Sequence, residues 1–152
     1  MAAKGVNVPF GLPAKSVAEA VAAAKEIGDE EVVIKSQILA GGRGLGTFTN
    51  GFQGGVHVIK SSQVAEYADK MLGQMLVTKQ SGPAGKPVDT LLIAKKMNLV
   101  AEKYFAILLD RSTMGPLIIA CPEGGTVRSA HCDGSRARVR LEGQQWQQWQ
   151  QW

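Results

Sequence analysis

Residues 31–60 read EVVIKSQILAGGRGLGTFTNGFQGGVHVIK. A β-branched run carrying one lysine meets two glycine clusters, the first in AGGRGLG and the second at Gly54 and Gly55. Glycine loses more backbone entropy on folding than any other residue, so a cluster marks a place where the chain must approach something closely. Residues 31–39 are too short for a helix and rich in β-branched side chains, so they read as a strand, and Val56 to Lys60 read as another.

Lys35 stands between Ile34 and Ser36 in an otherwise apolar run, where an ammonium without an anion is costly. The glycine loop beyond it lets several backbone N–H groups converge on a phosphate chain without a Cβ in the way. A lysine on the preceding strand would add a point charge to the same phosphates. The residues also allow a plainer reading, with Lys35 facing solvent on an alternating strand and GGRGLG a flexible turn. The segment lacks Walker spacing and no helix is expected after it, so neither the P-loop nor the Rossmann fingerprint applies. Arg43 either reaches a ligand or keeps the loop soluble. His57 alternates with Val56 and Val58 and reads as structural, and Gly54 and Gly55 read as a turn.

Elsewhere the punctuation is regular. Ser16 and Glu19 have capping-box spacing, Val17, Ala20, Val21, Ala24 and Ile27 recur at helical intervals, and Gly28 closes the segment. SSQVAEYADKMLG repeats the serine-start, glycine-stop pattern, with Val64, Tyr67, Ala68, Met71 and Leu72 on one face. MLVTKQ, DTLLIAKKM, YFAILLDR and GPLIIACP are strand-like, and SGPAGKP is a hairpin loop. Helices packed on a mostly antiparallel sheet make an α+β fold.

The chain has 152 residues and a net charge of +4, with 45% hydrophobic and 20% charged residues. Residues 1–126 hold 13 Lys and Arg against 11 Asp and Glu, a near balance that argues against a nucleic-acid footprint. Cys121 and Cys132 make neither a disulfide framework nor a metal motif. No run has the length of a membrane span, and the N-terminus lacks the pattern of a secretory signal. After residue 126 the composition shifts to scattered arginines and a Gln/Trp repeat ending in Trp146, Trp149 and Trp152. Residues 1–126 are therefore read as the folded domain and 127–152 as a divergent tail, expected to be disordered. A second reading gives that tail to RNA or an acidic partner, through arginines on phosphate and indoles on bases.

VVIKSQILAGGRGLGTF with GFQGGVHV, KMLGQMLVTKQSGPAGKPV and EKYFAILLDRSTMGPLIIACPEGGT together resemble the β-subunit family of succinyl-CoA synthetase (succinate–CoA ligase), in register from Gly5 to Thr126. The resemblance implies an ATP-grasp fold of the eukaryotic, mitochondrial type. It implies an enzyme that interconverts succinate, CoA and ATP or GTP with succinyl-CoA, nucleoside diphosphate and phosphate, using Mg²⁺. It also implies a separate α subunit as partner, whose histidine carries the phosphoryl group. On these terms Lys35 contacts phosphates, Gly42, Arg43 and Gly44 form the loop over the nucleotide, and Glu102 before Tyr104 lies on the nucleoside side. No catalytic residue and no metal ligand is assigned within the matching region; the Mg²⁺ ligands are expected beyond it. Lys95 and Lys96 follow Ala94 where the family carries an acidic residue. The family's preceding helix and targeting peptide are expected to be missing, and the change after Thr126 is read as a shifted frame or truncated gene product.

Overall fold

The computed structural model describes residues 4–111, 114–122 and 137–140. In chain order the first unit, Met1–Asn98, contains β1 (Gly11–Ala14), α1 (Val17–Ile27), β2 (Glu31–Ser36), β3 (Thr47–Phe48), β4 (Val56–Lys60), α2 (Val64–Met71), β5 (Met75–Val77), β6 (Lys86–Pro87) and β7 (Leu91–Lys95).

Helix α1 forms as its spacing requires. Ser16 Oγ accepts the Glu19 N–H at 3.2 Å, and the Glu19 carboxylate reaches back to the Lys15 N–H at 2.7 Å. This differs from the usual box by one residue, because the returning carboxylate finds the amide before the cap. Gly28 N–H closes the far end on Ala24 O. Ser16→Ala should lower stability by about 1 kcal/mol, the usual worth of such a cap, in urea unfolding at unchanged m-value. The α2 entry is different. Residues 61–63 make a 3₁₀ turn, and the Ser61 hydroxyl donates to Asp29 O at 2.6 Å rather than capping the helix.

Strands β1, β7, β2 and β4 form one antiparallel sheet in that order. Its inner face places Val32, Ile34, Ile59, Leu91 and Ile93 against Ala20, Ala24, Val64, Ala68 and Met71 of the two helices, all at most 5% exposed. Alanines on α1 let the helix come close to the sheet. Alternation does the rest: Val32, Ile34 and Ser36 are buried on this face, while Val33 and Lys35 are half-buried on the other. Strand β2 stops at Ser36, short of the expected residue 39, because the Gln37 N–H turns to Thr90 O and Leu39 is fully exposed.

The strands divide among three sheets instead of one. β3, β5 and β6 form a small antiparallel sheet, with 78–85 as the hairpin connection between β5 and β6. The second unit, Leu99–Trp152, holds β8 (Tyr104–Asp110), β9 (Gly115–Cys121) and β10 (Ala137–Arg140), in the order β10-β9-β8. The compact units thus divide at Asn98, inside the stretch 1–126. Within the stretch 127–152, the backbone of β10 pairs antiparallel with β9. The rest of 127–152, with Cys132 and the tryptophans, lies outside the described residues.

β8 is an edge strand whose Phe105, Ile107 and Leu109 are each more than 60% exposed on one face, with Leu108 half exposed on the other. An apolar edge of this kind invites pairing with another chain. Light scattering should show particles larger than a monomer, and Ile107→Lys should shrink them. A monodisperse monomer in both samples would contradict that expectation. Cys121 at the end of β9 is buried, and no helix among the described residues is long and apolar enough to cross a membrane.

Candidate functional site

Lys35 sits on β2 between Val56 of β4 and Leu92 of β7, with Pro13 of β1 beyond Leu92 in the same row. Its ammonium therefore rises from an apolar row on the face away from the helices. Among the described residues it has no hydrogen-bond or ion-pair partner. A half-buried cation in apolar surroundings is the condition in which an incoming anion gains most.

The glycine loop begins at Gly41, five residues after β2 ends at Ser36. Gly41 donates its N–H to the side-chain carbonyl of Gln80, and Gly42 adopts φ 74°, a left-handed conformation that a side chain would resist. Arg43–Leu45 then form a single 3₁₀ turn, where no helix was expected. Its first internal bond is Leu45 N–H to Gly42 O at 3.1 Å. The N–H groups of Gly42, Arg43 and Gly44 precede that bond and have no acceptor within the turn.

The loop is fastened. Arg43 Nη1 donates to Ser36 O at 2.6 Å, Gly55 N–H donates to Arg43 O at 2.8 Å, and Gly54 N–H donates to Gly46 O at 2.8 Å. Gly55 O in turn accepts from Ser36 N–H and from the buried Ser36 hydroxyl. The approach is too close for any larger residue. A Cβ on Gly55 would meet Ser36 Oγ and lie 2.7 Å from Leu76 Cδ2. His57 Nε2 lies 2.6 Å from Gly54 O, and its ring packs against Phe52 and Tyr67, which gives it the structural place read from the strand alternation.

Of the residues singled out from sequence, Lys35, Gly42, Arg43 and Gly44 all lie in the first unit, and the Arg43 bond to Ser36 O joins the loop to the residue next to Lys35. Glu102 belongs to the second unit, exposed in the segment leading into β8. Sequence reasoning missed Ser36, Gly55 as a packing partner, and Gln80. Ser36 had a signal, its place on the buried parity of β2; Gln80 had none, since it arrives from a hairpin about forty residues away. That hairpin is held by a reciprocal pair, Thr78 N–H to Ser81 Oγ at 2.9 Å and Ser81 N–H to Thr78 Oγ1 at 3.1 Å.

Lys95 and Lys96 do not point to a ligand: they pair with Asp29 and Glu31. Both pairs are half exposed and contribute little to stability. No group of three or more His, Cys, Asp or Glu side chains suited to a metal occurs among the described residues.

Comparison with known proteins sharpens the picture. The profile of the ATP-grasp domain matches residues 1–127. The chain is 56% identical over 128 residues to the mitochondrial succinate–CoA ligase [ADP-forming] subunit beta of Solanum lycopersicum, covering 83% of this chain and 31% of that protein. It is 57% identical over 124 residues to the Oryza sativa subsp. japonica counterpart (80% and 29%), and 52% identical over 122 residues to the subunit beta of Opitutus terrae (80% and 31%). The chain thus spans about a third of the length of these relatives. A lysine-bearing strand, a fastened glycine loop and a profile match over most of its length agree: this chain belongs to the ATP-grasp domain family.

Proposed function

We propose that this chain is the nucleotide-holding portion of a succinate–CoA ligase β subunit. The observation that carries the proposal is a half-buried Lys35 without a partner among the described residues, followed in the chain by a glycine loop that is tied to Ser36, the next residue, and whose leading N–H groups have no acceptor within their own turn. Lys35 would neutralise the phosphates and the N–H groups of Gly42, Arg43 and Gly44 would orient them, with Glu102 on the nucleoside side. This is positioning and charge stabilisation, which is what phosphoryl transfer chiefly asks of a protein. No covalent step falls to these residues.

The names of the relatives support an ADP-forming ligase over a nucleic-acid binder. On that reading the complete enzyme handles succinate and CoA and pairs with an α subunit; it works in mitochondria, the location that several relatives' names print for those proteins. Both ATP and GTP fit a phosphate site of this kind, because it reads the polyphosphate and not the base. Calorimetric titration with ADP and with GDP, in Mg²⁺ buffer, tests the proposal. Saturable heat with either nucleotide supports it, and no heat from a folded sample with both removes it.

A further inference from the structure

We propose that the Arg43 side chain is a positioning group: its guanidinium latches the glycine loop against the end of β2 before any nucleotide arrives, and is not itself a phosphate ligand. Three segments close a ring at this point. Arg43 Nη1 donates to Ser36 O at 2.6 Å, Ser36 donates its N–H and hydroxyl to Gly55 O at 2.8 and 2.9 Å, and Gly55 returns its N–H to Arg43 O at 2.8 Å. Each residue holds the other two.

A guanidinium on a neutral carbonyl is a charge-assisted bond at short range, stronger than an amide donor would make. The planar fork is committed to a direction by that bond, toward the backbone of β2. The carbonyl it holds belongs to the residue after Lys35, so the latch fixes where the loop amides stand relative to the ammonium. A loop carrying Gly41, Gly42, Gly44 and Gly46 would otherwise sample many conformations, and ordering it on binding would weaken affinity. Arg43 removes that cost in advance.

The inference rests on reading the loop as the phosphate cradle, but its test does not need a nucleotide. Amide hydrogen exchange is measured on the full chain, nucleotide-free, for the parent and for Arg43→Ala. The latch predicts exchange roughly 10–100-fold faster at Leu45, Gly46, Gly54 and Gly55, the worth of one charge-assisted hydrogen bond, with Ile34 and Ile93 of the core sheet unchanged. Unchanged exchange at the four loop amides overturns the latch, whatever nucleotide does. Should Arg43→Ala lose core protection as well, Arg43→Met is measured by the same comparison. A methionine keeps the apolar stem but no donor to Ser36 O, so an acceleration confined to the loop supports the latch, and parent-like exchange there overturns it.

Discussion

Replacing Lys35 by alanine is expected to weaken ADP binding by roughly 10–100-fold while the fold stays intact, since a hydrogen bond to a charged group contributes about 1.5–3 kcal/mol. The direction follows from the side chain's surroundings. Its neighbours in register, Val56 and Leu92, offer no counter-charge, and no partner among the described residues would be left unpaired by its removal. The buried face of β2 is unaffected, because Ile34 and Ser36 point the other way. Calorimetry and thermal unfolding on the same samples check both halves. Parent-like affinity in Lys35→Ala would remove this lysine from the site.

Gly55→Ala is expected to be the most damaging conservative change in the loop region, at about 1–3 kcal/mol of stability, the usual cost of forcing one extra carbon into a packed site. The added Cβ would press on the buried Ser36 hydroxyl, on Leu76 Cδ2 at 2.7 Å and on Arg43 O at 3.1 Å. Leu76 is itself fully buried and cannot retreat. The relief available is to lift the 54–55 turn away from β2, which breaks the Ser36 and Arg43 bonds together. Stability and ADP affinity should therefore fall in the same variant. A urea midpoint equal to the parent's would show that the turn has room the structure does not indicate.

What could be read from sequence divides along a physical line. Local chemistry was legible: Ser16, Glu19 and Gly28 bracket α1, and the alternation of β2 puts Ile34 inside and Lys35 outside. Lys35 stood out because a charge inside a β-branched run needs a reason, and its phosphate contact is a proposal. Tertiary placement was not. Gln80 reaches Gly41 only because a hairpin between β5 and β6 folds back, and no spacing rule connects the two positions. Arg43 could be read as a ligand arm or as a solubilising charge, but not as a bond to Ser36 O, since that bond depends on where the loop lands. The division into three sheets was equally hidden, because which strands pair is decided by register and packing and not by the β-propensity they share. Glu102 came from family likeness alone, and its role remains a proposal.

The central claim is that one polyphosphate is held by Lys35 and the glycine loop at once. NMR titration of the ¹⁵N-labelled full chain with ADP in Mg²⁺ buffer tests it most directly. The account predicts that the Lys35, Gly42, Arg43 and Gly44 resonances shift together and saturate with one dissociation constant. Loop resonances that stay still while ADP binds elsewhere, or a spectrum that ADP leaves unchanged, would contradict it.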